Sequence, residues 1–260
     1  MYRNRFNYVW RIVATGFCFT GFGLGGLLLA IVVIPLCVII VRDKNKRQIR
    51  AQKILRASFQ FFVWMLQAVG VITLEVTGKK YLESSEGRLI IANHPTLIDV
   101  VILVSLVPRA QCVIKHELWQ NPFLRHIVQS MQYIRNDLPS EIFIEACRKA
   151  VNEGSTIIMF PEGRRARAGE ILRFKRGFAN IATILNSNIQ PVTITCFPHM
   201  LAKNQPWYRV PSSPGHYTIS AHPPLDIKPF LDYRSRAIGA RKLVSFLEAY
   251  FARKLNHERA

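Results

Sequence analysis

The sequence predicts an α/β fold, a largely parallel central sheet flanked by helices, with an N-terminal membrane-embedded helical segment attached. Three observations predict it. From about Val71 onward, short β-rich runs alternate with helical ones, the pattern of strands joined by crossover helices around a mainly parallel sheet. Residues 12–41 form a 30-residue run without a single charge, longer than the roughly 20 residues that span a bilayer. The whole chain has 260 residues, half of them hydrophobic, which is enough for one domain with a sizeable core and an attachment. The expected division is 1–70 as an N-terminal membrane anchor and 71–260 as the globular domain.

The N-terminal run is too long for the apolar part of a signal peptide, about 7–15 residues. As one straight helix it would measure about 45 Å against a hydrocarbon core of about 30 Å. It must tilt, kink or turn back. Gly16, Gly21, Gly23, Gly25, Gly26 and Pro35 offer places for a break, so a tilted span and a broken, re-entrant helix in one leaflet both stand open. Arg3, Arg5 and Arg11 precede the run. Arg42, Lys44, Lys46, Arg47, Arg50, Lys53 and Arg56 follow it, opposed only by Asp43. The positive-inside rule then places the globular bulk on the cytoplasmic face, and the cluster attracts anionic lipid. The stretch Ala57–Val69 is shorter and interrupted by Gln60 and Gln67. It reads as an interfacial or domain-capping helix rather than a second span.

In the globular part the strand candidates are Ile72–Thr77, Leu89–Ala92, Gln111–Ile114, Gln132–Ile134, Thr156–Phe160, Pro191–Phe197 and His216–Ser220. The helix candidates are Ile98–Leu106, Pro122–Ser130, Ser140–Asn152, Phe178–Leu185 and Ala237–Lys254. Between them Phe197–Pro214, rich in Pro, Ser and aromatics, reads as a long surface loop of the kind that forms binding edges.

Composition narrows the function. Disorder is excluded by the apolar content, and collagen-like or disulfide scaffolds by 14 Gly, 14 Pro and 5 Cys. The cysteines are odd in number and contain no CxxC pair, so free thiols in a reducing compartment are expected. With 35 Lys and Arg against 16 Asp and Glu, the net charge is +19. That points to anionic partners: lipid headgroups, an acidic carrier protein or nucleic acid. Residues 1–56 hold ten basic residues and one acidic, so about half of the excess lies in the globular part. No nucleic-acid recognition motif accompanies it, and no nucleic-acid partner is expected.

Two segments carry the chemistry. In Ile90–Asp99 a buried strand runs into Asn93-His94-Pro95 and a helix follows, with Pro95 suited to a first helical turn. Within one helix His94 and Asp99 would stand about 140° apart on the wheel. They meet only if His94 lies in the loop and Asp99 reaches back from the start of the helix. There the carboxylate would hold one ring nitrogen and leave the other free to take a proton. In Ile157–Arg165 an apolar strand ends in Pro161-Glu162-Gly163 and two arginines, at the carboxyl end where open α/β sheets bind ligands. Gly163 would let a backbone N–H approach a ligand. Arg165, with Arg164 and Arg167, could grip phosphate bidentately. His116-Glu117 lacks the second His of a zinc-protease motif, and neither Walker A nor GxSxG occurs in usable context. No metal site is expected.

Asn93-His94-Pro-Thr-Leu-Ile-Asp99 resembles the NHxxxxD motif of the glycerolipid acyltransferases, the family of 1-acylglycerol-3-phosphate acyltransferase. Phe160-Pro-Glu-Gly-Arg-Arg165 is similar to the FPEGTR motif, with Arg164 in the Thr place. Lys115-His-Glu117-Leu118 followed by Pro122-Phe123 resembles its K-x-E-L…P-F stretch. Gln132-Tyr-Ile-Arg135 sits where the family carries a phosphate-binding Arg, and Phe174-Lys175-Arg176-Gly177 resembles F-K-x-G.

The resemblance covers roughly residues 70–225. It implies a membrane-bound acyltransferase, with 71–260 as the acyltransferase domain. His94 would be the base, oriented by Asp99. Asn93, Lys115, Arg135, Glu162, Gly163, Arg164, Arg165 and Lys175 would bind substrate. It further implies a lysophospholipid hydroxyl as acceptor and an acyl thioester of acyl carrier protein or coenzyme A as co-substrate, without cofactor. Membrane lipid is the other partner, and the bacterial inner membrane the expected location. Two alternatives stay open: a non-glycerolipid acceptor such as a glycolipid, amino-acid lipid or lipid-anchored pigment, and a non-enzymatic lipid-binding protein. A basic rim would suit an acidic carrier protein as donor.

Overall fold

The computed structural model describes residues 2–121, 125–165 and 170–257. The chain opens with a continuous helix in three parts: α1 (Tyr2–Leu28), a π-helical turn (Leu29–Val33) and α2 (Ile34–Ile40). The glycines of α1 do not break it. The interruption falls just before Pro35, which has no N–H to give and whose ring crowds the preceding turn, so the helix widens there. The window Asn7–Ile40 is long and apolar enough to cross a membrane.

The return helix α3 (Lys44–Ala68) begins at Asp43, whose side chain accepts the Lys46 N–H at 2.8 Å, an N-cap. It is longer than the Ala57–Val69 helix expected, because the basic stretch winds into the same helix. Phe22 packs on Phe59 and Phe62, and Phe19 on Phe62, zipping α1 to α3 as a hairpin.

Among the described residues the strands β1 (Ile72–Thr77), β2 (Leu89–Ala92), β3 (Ala110–Ile114), β4 (Ile134–Arg135), β5 (Thr156–Met159), β6 (Ile189–Phe197) and β7 (Gly215–Ala221) form one sheet. Its order is β1-β7-β6-β2-β5-β3-β4. Every pairing is parallel except β6 with β7. β2 and β5 are buried at every residue, as strands covered on both faces must be. β1 is an edge strand, and its residues alternate between more covered and exposed, as a strand with one face open to solvent does. The expected strand Gln132–Ile134 begins later, at Ile134. Gln132 adopts a left-handed φ of +52° and terminates the helix before it.

The helices are α4 (Lys79–Glu83), α5 (Asp99–Leu106), α6 (His116–Gln120), α7 (Arg125–Ser130), α8 (Ser140–Asn152), α9 (Gly177–Leu185) and α10 (Arg236–His257). Pro122 and Phe123 of the expected Pro122–Ser130 helix, and Arg167, lie outside the described residues.

Alternation along the strands separates two cores. Ile90, Ala92, Ile158, Val192 and Ile194 join the cluster containing α3 and α5, while Leu89, Ile91, Ile157, Met159 and Ile189 join that of α8, α9 and α10. The apolar hairpin therefore lies on one face of the sheet and α10 on the other. α3 packs on α5, and both the π-turn and α2 pack on α7.

Arg56 and Gln60 do not face lipid. Arg56 donates to the carbonyls of Ser105 and Leu106 at 3.1 and 3.2 Å, and Gln60 to Ser105 at 3.0 Å. These satisfy the open carbonyls at the end of α5. All five cysteines are free and buried. Burial pushes the Cys112 and Cys147 thiols up to about 12 and Cys196 to about 11, which keeps them protonated and unreactive near neutrality.

Candidate active site

β2 ends at Ala92, and the chain leaves the sheet through Asn93-His94-Pro95 before α5 starts at Asp99. His94 is thus in the loop and Asp99 is the first helical residue, the arrangement that a five-residue separation requires. His94 Nδ1 lies 2.8 Å from Asp99 Oδ2. Asp99 is fully buried and is held by more than the histidine. It accepts the Thr96 backbone N–H at 2.7 Å and the Thr96 hydroxyl on its other oxygen. Tyr217, fully buried in β7, donates its hydroxyl to Thr96 Oγ1 at 3.1 Å. Burial raises the Tyr217 phenol well above its ordinary value, so it remains a donor. The carboxylate is pinned from three sides, and with Nδ1 committed to it the imidazole has Nε2 left for a reacting proton.

Residues 160–165 close one wall. The His94 ring packs against Phe160, tilted by 33° with centroids 4.5 Å apart. The His94 backbone N–H donates to Glu162 Oε1 at 2.9 Å, joining the two loops. Burial pushes the Glu162 carboxyl up, and the His94 N–H pulls it the other way.

Gly163 has φ +70°, and a Cβ there would meet Lys175 Nζ at 2.8 Å. Its own N–H is already bonded to the Phe160 carbonyl at 3.0 Å. The expected exposed N–H is therefore absent at this position. Glycine makes the turn and leaves room for the Lys175 side chain to lie across it.

Asn93 also departs from the expected substrate contact. It is buried, and its amide gives and takes one bond each with the Ile194 backbone at 2.8 Å. It clamps the end of β2 to β6. Arg165 donates through Nη1 to the carbonyls of Leu201 and Ala202, at 3.1 and 3.4 Å. Arg164 pairs with Glu170 across its own loop. Lys115 is exposed at the end of β3.

Arg135 ends β4, three strands from β2 in the sheet order, about 14 Å away at ordinary strand spacing. It forms a two-pronged pair with Asp137 at 3.0 and 2.7 Å, which lowers the Asp137 pKa. It lines a cleft of about 370 Å³ with Trp119, Tyr133 and Lys149, apart from His94. The structure thus gathers His94, Asp99, Glu162, Gly163, Lys175 and Arg165 in one place and leaves Arg135 at the sheet edge.

Thr96 and Tyr217 are absent from the sequence-derived set. Thr96 has a local signal, the T-x-x-D spacing that marks a capping box. Tyr217 has none, standing 121 positions from Thr96 in the chain.

Known proteins share the sequence pattern and the fold. The family model for acyltransferases matches residues 73–195. The 1-acyl-sn-glycerol-3-phosphate acyltransferase of Helicobacter pylori is 30% identical over 171 residues, covering 63% of this chain and 69% of its own. That of Borreliella burgdorferi is 26% identical over 206 residues, covering 77% of each. The crystal structure of the acyltransferase PlsC from Thermotoga maritima superposes with a TM-score of 0.71 over 99% of this chain and 98% of its own, at 20% identity, which supports the shared fold. With the strand-loop-helix placement of His94 and Asp99 and the adjoining FPEG loop, the chain belongs to the glycerolipid acyltransferase family and is an O-acyltransferase.

Proposed function

We propose that this protein transfers a fatty acyl group from an acyl thioester to the free hydroxyl of a lysophospholipid such as 1-acylglycerol-3-phosphate. The observation that carries the reading is the buried, triply held Asp99 beneath His94, at the carboxyl end of a central strand. His94 Nε2 takes the proton of the acceptor hydroxyl while Asp99 stabilises the imidazolium that forms. The alkoxide oxygen attacks the thioester carbonyl, and the tetrahedral intermediate collapses with loss of the thiolate. The thiolate recovers the proton from His94. No acyl-enzyme is needed. Lys175, which lies across Gly163, and Arg165, which shares the Leu201 carbonyl with Leu97, suit the acceptor phosphate or the oxyanion. Lys115 at the end of β3, Arg164 in its pair with Glu170 and Arg135 at the sheet edge suit the anionic donor. Glu162 and Asn93 hold the loops.

On the same reading the domain 71–260 is the catalytic unit and 1–70 the membrane anchor. The anchor lies along a leaflet rather than across the bilayer. Gly16 touches Trp207, and the π-turn and α2 pack on α7, so the long helix stays beside the domain over most of its length. A span would carry one end about 30 Å away. Val9, Val13, Phe17, Leu24, Leu28 and Ile31 are exposed on one stripe, a face for lipid. The domain then sits at the cytoplasmic surface, where thioesters are available.

Membranes carrying the wild-type or His94→Ala protein test this with labelled acyl thioester and a panel of lysophospholipids. The expected result is lysophosphatidate acylation that falls by about 10²–10⁴-fold in the variant. Equal turnover in both would remove His94 as the base. Silence across the panel from folded protein, with turnover on an acylated glycolipid or amino-acid lipid, would move the acceptor outside the glycerolipids.

A further inference from the structure

The segment between β6 and β7, residues 198–214, touches both the candidate site and the apolar hairpin. Its inner side is anchored by buried Met200, Leu201 and Val210. The Leu201 carbonyl accepts the Leu97 backbone N–H at 3.1 Å and Arg165 Nη1 at 3.1 Å. Leu97 lies between His94 and Asp99, and its own side chain is 46% exposed at the mouth of the site.

Farther along, the Trp207 ring lies against α1. A Cβ on Gly16 would stand 3.3 Å from two of its ring atoms, so the indole packs closely on the bare backbone there and would have to give by a few tenths of an ångström to a side chain. The outer side of the loop is apolar and basic. Trp207 is 46% exposed, Tyr208 55%, and Phe197 at the loop's start 76%. Arg209 is exposed and Lys203 half-buried. No Asp or Glu occurs from Phe197 to Pro214.

Trp207 and Tyr208 stand edge to face, and clustered exposed apolar side chains rimmed by polar groups mark partner or membrane contacts. Tyr and Trp with basic neighbours favour the boundary between hydrocarbon and headgroups, where the ring is half desolvated and the cation meets lipid phosphate. The loop is continuous with the exposed stripe of α1 through the Trp207–Gly16 contact.

We propose that residues 197–209 form a second membrane contact, with Phe197, Trp207 and Tyr208 seated in the headgroup layer of an anionic bilayer beside α1. This rests on the reading of α1–α3 as a membrane-seated hairpin. The consequence for the reaction is positional. Because the loop's Leu201 carbonyl holds both Leu97 and Arg165, seating the loop on the lipid surface places the His94 loop at that surface. The acceptor can then present its hydroxyl while its acyl chain stays among lipid tails.

Tryptophan quenching tests the contact. Three single-tryptophan full-length proteins, each keeping only Trp64, Trp119 or Trp207 and carrying Trp→Phe at the other three positions, are mixed with phosphatidylglycerol–phosphatidylethanolamine vesicles. The lipid chains carry bromine near the headgroup. The expected result is quenching of Trp64 on the hairpin and of Trp207 on the loop, and none of Trp119 on α6. Quenching of Trp64 without Trp207 would overturn the loop contact and leave the hairpin seat standing. Quenching of neither would overturn both.

Should the multiple variants fail to fold, Trp207→Phe in the otherwise natural chain must lower the total quenching, and unchanged quenching overturns the proposal. A Trp207→Ala, Tyr208→Ala double variant is expected to bind the same vesicles about tenfold more weakly. Undiminished binding counts against the contact.

Discussion

His94 and Asp99 acquire their geometry from the residues bonded around them. Thr96 gives Asp99 two bonds, and Tyr217, two strands away on the same face of the sheet, orients the Thr96 hydroxyl. A carboxylate with fewer partners would be free to rotate away from Nδ1, and the tautomer of His94 would no longer be enforced. Tyr217→Phe keeps the ring and its packing and removes one donor. The expected stability loss is about 1 kcal/mol, the usual net value of one hydrogen bond. On the proposed mechanism turnover is expected to fall by up to about tenfold, with KM little changed, since only the orienter of His94 is loosened. Thermal melting and steady-state kinetics measure both. A KM effect without loss of kcat would place Tyr217 with substrate binding instead.

Elements close on one another through their ends. The carbonyls at the end of α5 are capped by Arg56 and Gln60 of α3, so residues that look like a membrane-facing charge and an interruption of an apolar run serve helix termination. The end of α7 shows the opposite economy. Its terminal bonds run from Gln132 N–H to Gln129 and from Tyr133 N–H to Val128, at 3.0 Å each, the pattern that favours glycine at the left-handed position. Gln132 occupies it with φ +52°, where a side chain costs about 1–2 kcal/mol. Gln132→Gly is therefore expected to raise stability by about 1 kcal/mol. Denaturant unfolding would report it as a higher midpoint with unchanged slope. A lower midpoint would show that the Gln132 side chain, which lines the cleft beside β4, contributes more than the strain removes.

At the scale of the whole molecule the sheet divides two tasks. One face carries the hairpin with its exposed apolar stripe, and the other is covered by α8, α9 and α10. α10, whose basic and aromatic residues would equally suit lipid, packs on α9 and β6, on the face turned from the hairpin. Charge is spread over both parts of the chain, +19 in all. If an acidic carrier protein delivers the acyl group, that field speeds the encounter. Turnover per unit donor is then expected to drop by about tenfold between low salt and roughly 0.5 M salt, where screening acts within about 4–5 Å. A short neutral thioester should show no such dependence. Equal curves for the two donors would retire the steering idea.

Periodicity, charge-free length and motif order were enough to determine the α/β class, the parallel core strands, the apolar helix and the His94–Asp99 pair. Each of these is written in neighbouring residues: alternating burial in a strand, a run of uncharged side chains, five positions between loop and helix start. The tertiary structure decided what no local pattern encodes. Asn93 is a clamp because Ile194 lies beside it, and Gly163 makes room because Lys175 crosses it. Arg135 stands at the edge because β4 is the last strand added. The role of Tyr217 exists only because β7 brings it under Thr96. A side chain's neighbours depend on which distant strands pair, and strand order is set by the packing of the whole sheet, which a window of sequence does not contain.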